Sequence, residues 1–429
     1  MSVSPATVVK VGWPAGPSFA GSFLLNSATR GVLDGTTYTL ADETLVELAG
    51  ILTARASAGR SSRWDAPTAG TLSVTISDPD RLLDPTNEDG PYFGQIEARR
   101  PVTLSSRWTF GGSVVTVPAW SGYILDILGD YRPGADVVTL TGTDLIGLLS
   151  FTISDSAASR PSETCAARLR YLVSLLGLPV PEGTVDTGRT LSVMDLTGKN
   201  VLSVIRGIEL ADAGRFLVEP SGAWSYISNL ADTTPAMTIT NTPDYSTGLE
   251  VPLAAAPMSS SLDRYYNSVT ARKWFSGSDQ TAEDADAIVT YGRRAPSPFI
   301  ELPVLLDSDA LDVANLILLR SSSRTPTPRS ATVNLHAIPN AVGGSIGAGA
   351  AAAGLLAGAQ GSTVAVISAH RTGTPLEVTS VAIADKVTHT SAAGRWSTTL
   401  DLSPTPAASA PIELGDATLA VLDTGRLGF

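Results

Sequence analysis

Cysteine, histidine and charge are all scarce in this chain of 429 residues. The single cysteine, Cys165, has no partner for an internal disulfide, so bridges say nothing about the redox compartment, and the residue reads as a small buried hydrophobe. The three histidines, His336, His370 and His389, are widely separated and lack the spacing of metal ligands. Only 16% of residues are charged, and 41 acids against 29 bases leave a net charge of -12. That balance excludes a general attraction to phosphate backbones or anionic lipid, so sequence-specific nucleic-acid binding is not expected. Residues 1–10 carry no apolar run of the kind a secretion signal needs, which points to a protein made and kept in the cytoplasm until it is assembled or released. The uncharged stretch 341–361 is long enough to cross a bilayer but is mostly Ala and Gly, with Val342, Ile346, Leu355 and Leu356 as its strong apolar residues. It reads as a flexible or closely packed loop, and no stable membrane insertion is expected.

What is present specifies a folded, β-rich protein. Hydrophobic residues make up 43% of the chain and the mean hydropathy is +0.16, outside the range of disordered chains. The length suits two to four domains. Low charge with abundant Ser, Thr, Ala and Gly suits a surface packed against neighbouring subunits. Up to about residue 150 the text is strand and turn: Leu72, Val74 and Ile76 alternate with polar neighbours, Pro101–Ser105 is a short strand, and Trp120–Asp126 and Ala135–Gly142 pair across a turn. This is a barrel or sandwich signature.

The middle of the chain is mixed. Ser162 can cap a helix running to about Leu176, with Cys165, Leu169, Leu172, Val173 and Leu176 on one face and Gly177 ending it. A second helix near 199–213 gathers Val201, Val204, Ile205 and Ile208 and stops at Gly214. A hairpin follows, with Arg215–Glu219 and Ala223–Ser228 as its strands. Beyond a Pro- and Ser-rich joint at 252–261, a strand is expected at Asn267–Arg272 and a helix opening at Ser308, and the segments 362–367, 379–384 and 395–402 read as strands.

Motifs for chemistry are weak. Gly343-Gly-Ser-Ile-Gly347 matches a nucleophile elbow, and Asp385 and His389 follow in hydrolase order, but Ser345 lacks the strand before it and the helix after it that this motif requires. Gly347-Ala-Gly349 has no acidic partner to complete a dinucleotide loop. Asp78, Asp80, Asp84 and Asp89 share one loop, yet Leu82 and Leu83 stand where a calcium loop needs a ligand and a glycine, so turn and cap duty is expected. The seven tryptophans are dispersed, which suits core or interface anchors better than a stacking platform. The residues present no catalytic, cofactor or metal site.

The loop running from Gly70 through Asp78-Pro-Asp-Arg-Leu-Leu-Asp-Pro85 and Gly90-Pro-Tyr-Phe-Gly94 to Arg100-Pro-Val-Thr-Leu104 closely resembles the minor tail proteins of long-tailed, siphovirus-type phages of actinobacteria. Further blocks agree in order: Trp120-Ser-Gly-Tyr-Ile124 with 138–148; Tyr266-Asn-Ser-Val269 with Tyr291-Gly-Arg293 and the helix from Ser308; and the segment 394–404. The last two resemble the hub proteins of phage baseplates and related injection machines.

The resemblance implies a mainly β fold with an α+β module. Two tail-tube-like β-barrel domains would carry smaller inserted domains, and three subunits would form a pseudo-sixfold ring. The expected units are a barrel-type domain at 1–150, a mixed module at 151–258, a second barrel-type domain at 259–410 with the Ala/Gly-rich insertion 341–361, and a C-terminal arm at 411–429. It implies a structural virion protein at the tail tip and not an enzyme: a homotrimer closing the tube, meeting the distal tail protein, the tape-measure protein and other minor tail proteins, and surrounding the path of tape measure and DNA. A receptor- or carbohydrate-binding tail protein and a distal tail ring protein are the alternatives. In the arm, Leu419, Val421, Leu427 and Phe429 are too apolar for a solvated end and are the expected docking anchors.

Overall fold

A computed structural model describes residues 5–14, 43–61, 65–110, 113–132, 135–154, 159–228, 235–245, 248–259, 265–274, 277–321, 327–338, 347–369 and 377–404. Among the described residues the N-terminal part has seven strands: β1 (Ala6–Pro14), β2 (Glu43–Glu47), β3 (Ile51–Gly59), β4 (Thr68–Ser77), β5 (Pro101–Phe110), β6 (Ser113–Arg132) and β7 (Ala135–Thr143). They pair in the order β3-β4-β7-β6-β5-β1-β2. The alternation of β4 is realised: Leu72, Val74 and Ile76 are buried while Thr71, Ser73 and Ser77 are exposed.

The C-terminal strands Thr363–Ala369, Glu377–Ala392 and Arg395–Pro404 form where they are expected. The strand Glu377–Ala392 pairs antiparallel with β3, from Lys386 opposite Gly59 to Ala392 opposite Thr53. The N-terminal and C-terminal strands are therefore joined, and the described strands form one 13-stranded sheet. One apolar core serves this sheet, from Val9 and Val11 to Leu400 and Leu402.

A second core holds the α+β module. It gathers α1 (Leu145–Ser150), α2 (Cys165–Ser174), α3 (Val201–Asp212), the hairpin Arg215–Val218 with Trp224–Ile227, and the later elements Ser268–Lys273, Gln280–Glu283, Ile300–Leu302 and α5 (Asp307–Ser321). A short helix, α4 (Ala285–Tyr291), flanks it. Segments from both sides of the 252–261 joint thus share this core. The cap of α2 differs from expectation: Thr164 Oγ1 accepts the Ala167 amide at 3.3 Å, while Ser162 Oγ donates to the Leu191 carbonyl at 2.9 Å. The strand carrying Thr164 pairs with Thr190–Leu191, and that pairing holds Ser162 outside the helix.

The expected loop at 341–361 is corrected where it is described: Ala348–Ala357 is a helix, α6, packed on β5 and β6. Alanine has the highest intrinsic helix propensity, and small side chains let the helix approach the sheet closely. Gly349 lies against the Trp108 ring, where even a Cβ would collide with it. No helix among the described residues is long and apolar enough to cross a membrane.

Candidate functional site

Asp385 and His389 are built into the interior. Each fills a structural role. Asp385 sits at a register shift in its strand, between Ala384 and Lys386, a bulge of the kind that re-aims a side chain. Its Oδ1 accepts from Arg215 Nη2 at 2.7 Å, and its Oδ2 accepts from the Ser403 hydroxyl. His389 Nδ1 lies 3.0 Å from Thr398 Oγ1, and its ring lies 6.0 Å from that of Trp396. Burial pushes its pKa down to about 4, so the imidazole is neutral at pH 7. Ser345 and His370 lie outside the described residues.

The acidic loop after β4 is pinned by its own backbone. Asp78 accepts the amides of Leu82 and Leu83 at 2.8 and 2.9 Å and the Tyr131 hydroxyl at 2.8 Å, and Leu83 anchors the loop in the first core. Asp84 accepts the Thr86 amide and the guanidinium of Arg81, both at 2.8 Å. These are turn and cap bonds. Among the described residues, no group of three or more His, Cys, Asp or Glu side chains could hold a metal ion. Trp13, Trp108, Trp120, Trp224 and Trp396 are buried as core anchors.

The feature that sequence reasoning missed is a buried charge cluster between the two cores. Arg60, just past β3, pairs with Glu209 of α3 at 2.5 Å, and Arg215 pairs with Asp385. All four side chains are 3% exposed or less. Backbone bonds lock the same joint: the Arg60 amide donates to the Asp385 carbonyl at 3.0 Å, and the Phe216 amide to Glu209 Oε1 at 2.8 Å. Burial works against the charged form of both arginines. For Arg60, Glu209 and Asp385 outweigh it and the pKa rises; for Arg215, burial dominates and the pKa falls. A signal did exist, because Glu209 follows Ile205 by four residues and therefore lies on the apolar face of α3.

The exposed surface carries apolar residues as well. Val114 and Leu128 on β6, Phe151 and Ile153 after α1, and Val289 and Leu306 are all more than half exposed. Single exposed apolar residues are ordinary, and none of these marks a catalytic cleft. The residues Leu419, Val421, Leu427 and Phe429 lie outside the described part of the chain.

No protein-family model matches the sequence, and no curated protein does. Solved structures do. The 43 kDa tail protein of prophage MuSo2 from Shewanella oneidensis superposes with a TM-score of 0.54 at 12% identity, covering 93% of this chain and 97% of that one. A tail protein from Neisseria meningitidis gives a TM-score of 0.55 at 13% identity, covering 94% and 96%. The chain has the fold of phage tail proteins. Both matches run over nearly the full length of each partner, so the shared fold includes the large sheet and the α+β module together.

Proposed function

We propose that this chain is a structural subunit of a phage tail, a hub protein at the tail tip that closes the tail tube and forms a platform for tip assembly. The carrying observation is the end-to-end match to two phage tail proteins. The hub assignment rests on the sequence blocks at 266–293 and 394–404, and siphovirus-type actinophages on the loop 70–104. In this reading the chain works as a homotrimer, each subunit supplying two barrel-type halves. It contacts the distal tail protein, the tape-measure protein and other minor tail proteins, and surrounds the path of tape measure and DNA. The sparse charge suits matched subunit faces buried in a ring. The role asks for rigid geometry and no chemistry, which agrees with the structural duties of Asp385 and His389. The C-terminal residues 411–429 act as a docking arm toward a neighbour, with Leu419, Val421, Leu427 and Phe429 as anchors.

Cryo-electron microscopy of the assembled virion tests this reading. Threefold density at the tip that accommodates this fold is the expected result. Sixfold density for the chain would assign it to a distal tail ring, and density on a peripheral fibre would assign it to receptor binding.

A further inference from the structure

A small, partly open pocket of about 20 Å³ lies where five parts of the chain meet. Its wall takes Trp120 from β6, Asp144 at the start of α1, Glu219 from the hairpin, Gln360 after α6 and His389 from the C-terminal strand. Trp120, Asp144 and His389 are 2%, 1% and 4% exposed. Each carries one buried polar atom with no hydrogen-bond partner among the described residues: Trp120 Nε1, Asp144 Oδ2 and His389 Nε2. Two other polar groups on the wall are already engaged: the Ser121 hydroxyl donates to the Pro220 carbonyl at 2.6 Å, and Glu219 accepts from Ser225.

An unsatisfied buried polar atom is costly, so three on residues that line one pocket are a heavy burden for a fold to carry dry. A polar cavity accepts one water once its volume reaches roughly 10–15 Å³, and a buried water makes about three hydrogen bonds. The volume and the number of free atoms both match one molecule.

We propose that this pocket is a binding site for a single structural water that joins Trp120, Asp144 and His389. The chemistry of the three atoms assigns its orientation. Indole Nε1 can only donate, so the water accepts from Trp120. His389 Nδ1 and Thr398 Oγ1 share a hydrogen bond at 3.0 Å, and in the tautomer in which Nδ1 donates, Nε2 is an acceptor for one water proton. The second water proton goes to Asp144 Oδ2, while Oδ1 keeps the Gly147 amide at 3.1 Å. The water therefore bridges the N-terminal half, the entry to the α+β module and the C-terminal half.

A crystal structure at a resolution that shows ordered solvent tests the site directly. The expected map holds one isolated peak at hydrogen-bonding distance from at least two of the three atoms. In solution, protein labelled with nitrogen-15 in its tryptophans should show a cross-peak between the Trp120 indole proton and a long-lived water, assigned by its loss in Trp120→Phe. Should that variant not fold, the signal is assigned as the indole proton that shifts in His389→Gln. A pocket without density, direct pairing among the three side chains, or an indole proton without a water cross-peak would overturn the proposal.

Discussion

Arg215 and Asp385 stand 170 positions apart in sequence and 2.7 Å apart in the structure, both in the interior. The pair joins the hairpin of the α+β module to the C-terminal strand of the large sheet, so it couples two cores that could otherwise move against each other. A buried ion pair adds little over an apolar pair of the same size, but one bereaved charge is expensive. Asp385→Leu should therefore cost about 3–5 kcal/mol in chemical denaturation, and Arg215→Met combined with Asp385→Leu should recover most of it. Equal losses in the single and double variants would show that the ion pair is not the coupling element.

Much of the frame is legible in the residues because period-two and period-3.6 patterns report burial directly. The alternation of Leu72, Val74 and Ile76 and the spacing of Val201, Val204, Ile205 and Ile208 each place a face against a core. The pairing of β3 with Glu377–Ala392 is not legible, because strand partners so distant in sequence leave no local trace. The charge cluster stays hidden for the same reason: Arg60 is far from Glu209 in sequence, and Arg215 from Asp385, so each pair meets only in the folded chain. Helix α6 was obscured by its glycines, which lower helix propensity but here permit close packing.

Gly349 and Gly354 occupy the same helix in opposite surroundings. A Cβ at Gly349 would enter the Trp108 ring, whereas nothing lies within 4 Å of the position at Gly354. Replacing a helical glycine by alanine ordinarily stabilises by about 0.5–1 kcal/mol. Gly354→Ala should show that gain in a thermal melt. Gly349→Ala should lose about 1–3 kcal/mol, because overpacking outweighs propensity. A gain at both positions would mean that α6 does not press on Trp108 as described.

Deletion of residues 411–429 separates an assembly role from a folding role. If these residues dock on a neighbour, the truncated subunit should keep its melting temperature within about a degree, since no core contact is removed, while complementation of a null phage yields no complete tails. Substituting Leu427 and Phe429 with serine should reproduce the assembly defect. A drop of several degrees in the isolated subunit would instead assign the segment to its own fold.

His389 makes stability depend on acid in a defined window. Its pKa is pushed down to about 4 from an ordinary 6.5 because burial disfavours the imidazolium. The folded protein thus binds this proton less readily than the unfolded chain, so the contribution is complete above pH 6.5 and is lost as the pH falls toward 4, by about 3 kcal/mol in all. Asp144 acts in the opposite sense. Burial raises its pKa to about 6 from 3.8, against the Gly147 amide that Oδ1 accepts, so its contribution is present below pH 3.8 and fades as the pH rises through 6. Net acid sensitivity of the native protein is therefore muted, and the comparison that isolates His389 is between proteins that both keep Asp144. His389→Gln should be less stable than the native chain at pH 7, because a buried ring is lost, yet should lose less further stability between pH 6.5 and 4.5. Parallel pH profiles of unfolding free energy for the two proteins would show that His389 titrates in the folded state as it does in water.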